Sequence, residues 1–329
     1  MAIRKLHLND LVAALPDSSD VFVCCASYED RCLSVAQHIR RESAGIALVA
    51  RNPRLGALVD VNAERLRSLF GERAEDVKID FCDPLVTADS LENALGAIAR
   101  TVPQTFLVDI TTFTHEQLLI LLRLLSLRTH SKDKVFCVYT SAAEYSVNSA
   151  SLEEKWLSKG VADVRSVLGY PGEYMPSQKA HMVVLAGYEY ERARNLIEVY
   201  EPSLVSLGHD RAGSSTSPKH YEANRRFHAL VHESTARYAQ VEDFEFPCND
   251  PWGTKEAILR QLATHPGYNA IVAPMNTKIS TVGSALAALE HDTIQLCYAQ
   301  ALQYNYRGYS RPGETCHLFE LPEIVSRQG

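Results

Sequence analysis

Short apolar runs alternate with longer stretches in which apolar residues recur every three or four positions, and this alternation continues through both halves of the chain. Short apolar runs are typical of buried strands, and the wider spacing is typical of amphipathic helices. Strands and helices in regular succession predict a mostly parallel sheet with helices on its faces. The pattern therefore predicts an α/β fold.

Each half of the chain is predicted to form one Rossmann-like unit. In the first half the predicted strands are 21–25, 46–50, 77–81, 106–110 and 135–139, and the predicted helices are 31–41, 61–70, 90–101 and 115–126. In the second half the predicted strands are 182–186, 204–207, 242–246, 270–274 and 293–298, and the predicted helices are 189–199, 221–235, 255–264 and 281–289.

A linker is predicted between the halves. Residues 152–159 have a helical pattern, and the stretch 169–176 contains two prolines and two glycines, which predicts an irregular crossing segment. The predicted domains are 1–150 and 181–329, joined by a helical and irregular linker over 151–180. A last short strand is expected near 316–321.

Three short motifs of the first half recur in the second. Ser-Tyr-Glu-Asp-Arg recurs as Gly-Tyr-Glu-Tyr-Glu-Arg, Asp-Phe-Cys-Asp-Pro as Phe-Pro-Cys-Asn-Asp-Pro, and Asp-Ile-Thr-Thr as Pro-Met-Asn-Thr. The offset is 160 residues from Glu29 to Glu189 and 165 from Thr112 to Thr277. This recurrence predicts two tandem units related by internal duplication and a pseudo-twofold axis, with a ligand cleft where the copies meet.

Composition and charge narrow the classes of function. The chain has 329 residues, of which 46% are hydrophobic and 22% charged, as in globular proteins. A formal net charge of −7 argues against non-specific binding to long nucleic acid, although a few local cations suffice for a small anionic ligand. No apolar stretch has the length of a signal peptide or a membrane span, so we expect a cytoplasmic protein without membrane contact.

The cysteine and histidine patterns give no sign of a metal site. None of the eight cysteines forms a Cys-x-x-Cys pair, and several stand in predicted strands, which favours buried reduced thiols over disulfides or zinc. His228 and His232 have helical spacing but lack the His-Glu-x-x-His order. We therefore expect neither a metal nor a cofactor.

The loops after the first strand of each half are the first candidates for a ligand site, since ligands of doubly wound sheets bind beyond the carboxyl ends of the strands. Ser27 and Gly187 are small residues at those ends, so a ligand can approach. Arg31 and Arg192 begin the following helices, where a guanidinium can bind a phosphate or carboxylate. The alternative is a helix-capping acidic turn, because acidic residues are favoured at helix N-termini.

The junction after the fourth strand of the first half is the second candidate. Thr111, Thr112 and Thr114 offer hydroxyls and backbone N–H groups to an anion. The alternative is an ordinary helix N-cap, and we expect Thr112 or Thr114 to fill that role.

The matching junction of the second half carries Asn276, Thr277 and Lys278. A lysine directly after a buried strand stands at a helix start, where cations are disfavoured. Its presence there suggests a negatively charged partner, and we predict that Lys278 binds the ligand.

The first of these junctions resembles a known motif. Asp-Ile-Thr-Thr-Phe-Thr at 109–114 resembles the Asp-hydrophobic-Thr-Gly-Gly-Thr-Lys stretch of the CARF-type Rossmann-like domains. Those domains, and the SAVED domains that look like two fused CARF units, sense cyclic oligonucleotides in bacterial antiviral defence. Here Thr112 and Phe113 stand at the glycine positions, and His115 stands at the lysine position. The resemblance implies that Thr111, Thr112, Thr114 and Lys278 line a nucleotide-binding cleft.

The sequence leaves three functions open. The first is a sensor that recognises a nucleotide or phosphorylated small molecule in the cleft and acts through an effector protein or a homo-oligomer. The second is a hydrolase of a phosphoester or N-glycosidic bond, with Glu29, Asp109 or Glu189 as acid or base. The third is a protein-interaction scaffold. No Gly-x-Ser-x-Gly elbow or phosphate-loop signature identifies a reaction.

Overall fold

The computed structural model describes residues 2–16, 19–39, 44–98, 102–145, 156–215, 218–306 and 308–325. Its strands are β1 (Arg4–His7), β2 (Ser19–Ala26), β3 (Ala44–Arg51), β4 (Ala74–Lys78), β5 (Thr105–Asp109), β6 (Lys134–Tyr145), β7 (Ser158–Pro171), β8 (Ala180–Leu185), β9 (Leu204–Asp210), β10 (Gln240–Phe246), β11 (Asn269–Pro274), β12 (Gln295–Tyr304) and β13 (Ser310–Glu320). They form two mostly parallel mixed sheets, so the predicted α/β class is confirmed.

Helices alternate with the parallel strands. They are α1 (Leu11–Ala14), α2 (Ser34–His38), α3 (Ala57–Phe70), α4 (Pro84–Gly96), α5 (His115–Arg128), α6 (Tyr190–Tyr200), α7 (Pro218–Thr235), α8 (Pro251–Thr264) and α9 (Lys278–Glu290). Asp83 and Asp250 cap α4 and α8, and each is followed by a proline at the first helical position. None of the helices in the described ranges is long and apolar enough to cross a membrane.

The contacts divide the chain into two compact units, Met1–Val147 with Ser310–Gly329 and Asn148–Tyr309. The sheet of the first unit has the order β1-β13-β6-β5-β2-β3-β4, and that of the second has the order β10-β9-β8-β11-β12-β7. In each unit five parallel strands therefore run in the order third, second, first, fourth, fifth. An antiparallel strand lies beside the fifth. The two units thus share one strand order.

The two antiparallel strands correct the predicted domain boundaries. β7 follows β6 along the chain but pairs with β12, and β13 follows β12 but pairs with β6. The C-terminal strand thus belongs to the first unit rather than to a domain over 181–329. Half of the predicted helix over 152–159 lies outside the described residues, and its last two residues begin β7. Fourteen residues of the predicted linker thus form a strand of the second sheet.

The hydrophobic pattern located the parallel core of both sheets. All ten predicted strands are present, and the third is displaced toward the N-terminus as β4. The missed strands β1 and β7 are edge strands with mostly half-exposed or exposed residues. Their sequences therefore lack the continuous apolar run by which buried parallel strands are recognised.

Candidate functional site

The strand order places a ligand-binding position in each unit. In each sheet the order reverses between the first and fourth parallel strands, which are β2 and β5 in the first unit and β8 and β11 in the second. Ligands of doubly wound sheets bind beyond the carboxyl ends of the strands at this switch point. The loops after these four strands contain most of the residues predicted from the sequence.

In the first unit, side chains hold the two switch-point loops together. The Thr112 hydroxyl donates to the carbonyl oxygen of Cys25 at 2.6 Å, and the Asn62 amide donates to the carbonyl oxygen of Ser27 at 2.8 Å. The Ser27 hydroxyl is buried and accepts from the backbone N–H of Glu29. Ser27 therefore shapes the loop, whereas Thr112 remains half-buried at the edge of the sheet.

The other two threonines of this junction have structural partners. Thr111 is buried, donates from its N–H and hydroxyl to Asp109, and accepts from the N–H of Thr140 at 3.0 Å. Thr114 is the N-cap of α5 and forms a capping box with Gln117. The expected N-cap role of one of these threonines is thus filled by Thr114.

Asp109 is a buried carboxyl at the end of β5. Its Oδ1 accepts both bonds from Thr111, whereas its Oδ2 has no hydrogen-bond partner among the described residues. Burial raises the pKa of Asp109 to about 7, against the opposing effects of the Thr111 hydrogen bonds and the charge of Arg31. A carboxyl in this state is inside the core and is not displayed toward a ligand.

The second unit has a denser polar network at its switch point. The Asn276 amide donates to the carbonyl oxygen of Ala186 and, at 2.8 Å, to the carboxylate of Asp210 at the end of β9. Thr277 is the N-cap of α9, since its hydroxyl accepts from the N–H of Ser280, and that hydroxyl also donates to the carbonyl oxygen of Cys248. These bonds join the carboxyl ends of four neighbouring strands of the sheet, β8, β9, β10 and β11.

Lys278 is the first residue of α9 and is half-buried. The first turn of α9 contains no acidic residue, whereas the first turn of α5 contains Glu116. A carboxylate offsets the positive end of a helix dipole, so the start of α9 retains more positive potential than the start of α5. Lys278 is therefore the predicted ligand residue whose surroundings best suit an anion, whereas the polar groups of Asn276 and Thr277 are engaged in the loop network.

Gly187 is required by close packing at this site. A Cβ atom there would lie 2.0 Å from the carbonyl oxygen of Met275, which is backbone and cannot rotate away. The carbonyl of Ala186 beside it is held by Asn276 and Asn224. Gly187 thus lets two backbone loops touch, which is a packing role that the sequence did not distinguish from ligand access.

Gly187→Ala is expected to lower the free energy of unfolding of the second unit by about 1–3 kcal/mol, because the added methyl group overpacks a backbone contact. Urea unfolding followed by circular dichroism measures this change. Gly96→Ala, which adds the same methyl group at an exposed position of α4 with nothing within 4 Å of the new Cβ, is the matched control and should change stability by less than about 1 kcal/mol. Equal effects of the two substitutions would contradict the packing argument.

Arg31 is part of a buried ion pair. Its guanidinium donates to Glu29 at 2.8 Å and to the carbonyl oxygen of Thr140 at 3.1 Å, and the two charged side chains are 4% and 7% exposed. The Ser310 hydroxyl, at the start of β13, donates to Glu29. Burial alone would lower the pKa of Arg31, but the charge of Glu29 raises it well above the usual value. The arginine therefore stays charged inside the unit.

Arg192 has the same surroundings in the second unit. It pairs with Glu189, their side chains being 5% and 6% exposed, and it donates to the carbonyl oxygen of Ala299 at 2.7 Å. Ser158, at the start of β7, donates to Glu189. Both arginines predicted to bind a ligand, and both glutamates considered as catalysts, are thus engaged in buried pairs. Their role is structural, but neither glutamate caps a helix with its side chain, so the alternative of a helix-capping acidic turn is also wrong.

Each buried pair lies beside two tyrosines of the fifth strand. The guanidinium of Arg31 lies 5.3 Å from the ring of Tyr145, whose hydroxyl is 3.0 Å from that of Tyr139. In the second unit Arg192 lies 5.1 Å from the ring of Tyr298, whose hydroxyl is 3.4 Å from that of Tyr304. These four tyrosines were not predicted as site residues, although a pair of tyrosines six positions apart recurs at an offset of 159 residues.

The histidine pair of α7 also has a structural partner. His228 and His232 lie 3.1 and 3.0 Å from the same carboxylate oxygen of Asp243 on β10. Within the described ranges no group of three or more histidine, cysteine or acidic side chains is arranged to hold a metal ion. Among the cysteines, Cys82 is exposed and the other seven are buried free thiols.

The fold and the switch-point loops define an α/β protein with two Rossmann-like sheets. No protein-family model and no curated protein matches the chain. Among solved structures, mitomycin 7-O-methyltransferase MmcR matches with a TM-score of 0.25 and 12% identity, over 42% of this chain and 36% of that chain. The cytoplasmic domain of a prokaryotic cation chloride cotransporter matches with a TM-score of 0.28 and 10% identity, over 88% and 98%.

A periplasmic sugar-binding protein from Pseudomonas fluorescens matches with a TM-score of 0.21 and 11% identity, over 83% of this chain and 65% of that chain. The chain therefore spans about a third of the methyltransferase's length and just under two thirds of the sugar-binding protein's. Likenesses at these TM-scores carry no argument about function.

Proposed function

We propose that this chain is a ligand-binding sensor module that recognises a nucleotide or phosphorylated small molecule at the switch point of its second sheet. The observation that carries the proposal is the position of Lys278 in the first turn of α9, beyond the carboxyl end of β11. The positive end of the helix dipole and the lysine charge together favour a phosphate.

We also infer that the two units arose by internal duplication. The shared strand order supports this, and so do contacts that recur between corresponding residues. Arg31 and Arg192 donate to carbonyl oxygens at the same position of the fifth parallel strand. The Thr87 hydroxyl donates to the carbonyl oxygen of Asp80, and that of Thr254 donates to Pro247, at a common offset of 167 residues.

The resemblance of the 109–114 stretch to CARF-type domains extends the proposal to cyclic oligonucleotides and to a role in bacterial antiviral defence. Strand register supports an alignment of the two halves that differs by one residue from the alignment of the sequence motifs. Leu107 lies opposite Phe22 in the first unit and Ile271 lies opposite Met182 in the second, so Leu107 corresponds to Ile271. On that register Asp109 corresponds to Ala273. The second junction then retains a lysine without a corresponding aspartate.

Binding is favoured over hydrolysis by the surroundings of the three carboxyl groups. Glu29 and Glu189 are paired with buried arginines, and Asp109 is 2% exposed. A general acid or base has to reach the proton it transfers, within hydrogen-bond distance or through one water. No described contact favours one of these groups as a catalyst, so a sensor remains the better-supported function.

Lys278→Ala is expected to weaken ligand binding at least tenfold, because one charge-assisted contact to a phosphate contributes about 1.5–3 kcal/mol. Thermal-shift titration with mononucleotides and cyclic oligonucleotides measures the change against wild type. Lys179→Ala removes an exposed lysine at the amino end of β8 and is the matched control. Equal ligand shifts in wild type, the Lys278 variant and the control would refute a binding role for Lys278.

A further inference from the structure

β7 is an edge strand of the second sheet. It is the last strand in the sheet order, and among the described residues only β12 pairs with it. Its residues are mostly half-exposed or exposed. An unpaired edge offers a row of backbone N–H and C=O groups to another strand.

The corresponding edge of the first sheet is covered. β13 is the counterpart of β7, since each pairs antiparallel with the fifth parallel strand of its unit. β1 pairs antiparallel with Thr315–Leu318 of β13. Tyr139 and Tyr298 are corresponding residues of the fifth parallel strand. His317 lies opposite Tyr139 and Arg165 lies opposite Tyr298, so the stretch of β13 that β1 covers corresponds to 163–166 of β7. The fold thus accepts one more antiparallel strand at this position.

The charges of β7 suit pairing with itself. In an antiparallel pair about a twofold axis at Val164, Asp163 would lie opposite Arg165 of the second copy, and Arg165 opposite its Asp163. Asp163 is 52% exposed and lies 2.6 Å from Arg165 on the same face, so two copies would bring together two charges of each sign. Opposite charges directly across a strand pair stabilise it, and like charges destabilise it.

The other edge strand of this sheet, β10, has charges that disfavour pairing with a second copy of itself. β10 carries Glu242, Asp243 and Glu245 within seven residues. Two such strands would repel each other, which is one way in which natural sheets avoid edge pairing. The contrast distinguishes β7 as the edge open to a second copy of this chain.

We propose that two copies of the chain associate through antiparallel pairing of their β7 edges around Val164, which joins the two second sheets into one. A strand pair of this length buries little area, so the dimer is weak and reversible. The inference rests on the edge of β7 alone and is independent of the proposed ligand site.

Sedimentation velocity on the full chain, at concentrations from about 10 to about 500 µM, tests the proposal. Wild type is expected to show a dimer fraction that rises with concentration. Asp163→Arg places like charges opposite each other and should weaken dimerisation at least about tenfold. Glu314→Arg is the matched control, because it reverses an exposed charge on β13, whose corresponding edge is already covered by β1.

A mixture of two charge-reversed variants tests the proposed strand pairing most directly. Arg165→Glu should also dimerise poorly alone, but an equimolar mixture with Asp163→Arg restores opposite charges across the twofold axis and should form heterodimers. A wild type that stays monomeric throughout, a dimer equally affected by Asp163→Arg and Glu314→Arg, or a mixture of folded variants that remains monomeric would overturn the proposal. If Arg165→Glu does not fold, the comparison of Asp163→Arg with the Glu314→Arg control decides whether the β7 edge forms the dimer.

Discussion

Replacing Arg31 by methionine is expected to lower the free energy of unfolding of the first unit by about 3–5 kcal/mol, because the Glu29 carboxylate is then left buried without a compensating charge. The two side chains are 4% and 7% exposed, so water cannot take over the role of the guanidinium. The pair also fixes the start of β13 through Ser310, which links the loss to the attachment of the C-terminal strand.

Adding Glu29→Gln to Arg31→Met should recover much of the loss, since neither partner of the pair then carries a buried charge. The measurement is denaturant unfolding, with hydrogen exchange of the β2 and β6 amides to report on the first unit. Arg194→Met is the control, because Arg194 and Glu198 form an exposed helical pair, and it should cost less than about 1 kcal/mol. A loss at Arg31 no larger than in the control would show that the buried pair does not hold the unit together.

Asp109 is expected to make the stability of the first unit depend on pH. The pKa of its carboxyl is about 7 in the folded unit and about 3.9 when unfolded, so the folded state holds a proton that the unfolded state has lost between these values. The stabilising contribution is complete below about pH 4 and is lost as the pH rises through about 7. The total change is up to about 4 kcal/mol.

Asp109→Asn should remove this dependence, because the amide does not ionise. The free energy of unfolding of the variant minus that of wild type is expected to rise with pH between about 4 and about 8. Taking the difference cancels the titration of all other groups. Asp89→Asn, which changes an exposed aspartate of α4, is the matched control. A flat difference for Asp109→Asn would mean that this carboxyl ionises freely in the folded protein.

The parallel core of both sheets could be predicted because its strands are buried on both faces and read as continuous apolar runs. Val21 to Cys25 and Met182 to Leu185 are fully or almost fully buried, and both runs were recognised. Edge strands lack this signal, since most residues of β1 and β7 are exposed or half-exposed. Which sheet an edge strand joins depends on its pairing with strands that are far away in the sequence. The pairing of β13 with β6 could therefore not be predicted from the local sequence.

The roles of site residues were harder to predict than their positions. Ser27, Thr111 and Gly187 do lie at the switch points, but their polar groups or small size serve loop contacts. Arg31 and Arg192 have the residue type and position of phosphate ligands. Only the structure reveals that a glutamate two or three residues away pairs with each of them inside the unit.

Isothermal titration calorimetry with phosphorylated and dephosphorylated forms of the same compound tests the central claim most directly. The proposed site recognises phosphate through Lys278 and the start of α9, so at least one nucleotide or cyclic oligonucleotide should bind. The matched nucleoside should bind at least about tenfold more weakly. Nucleosides that bind as tightly as their phosphorylated forms, or a full set of phosphorylated compounds without measurable binding, would contradict the account.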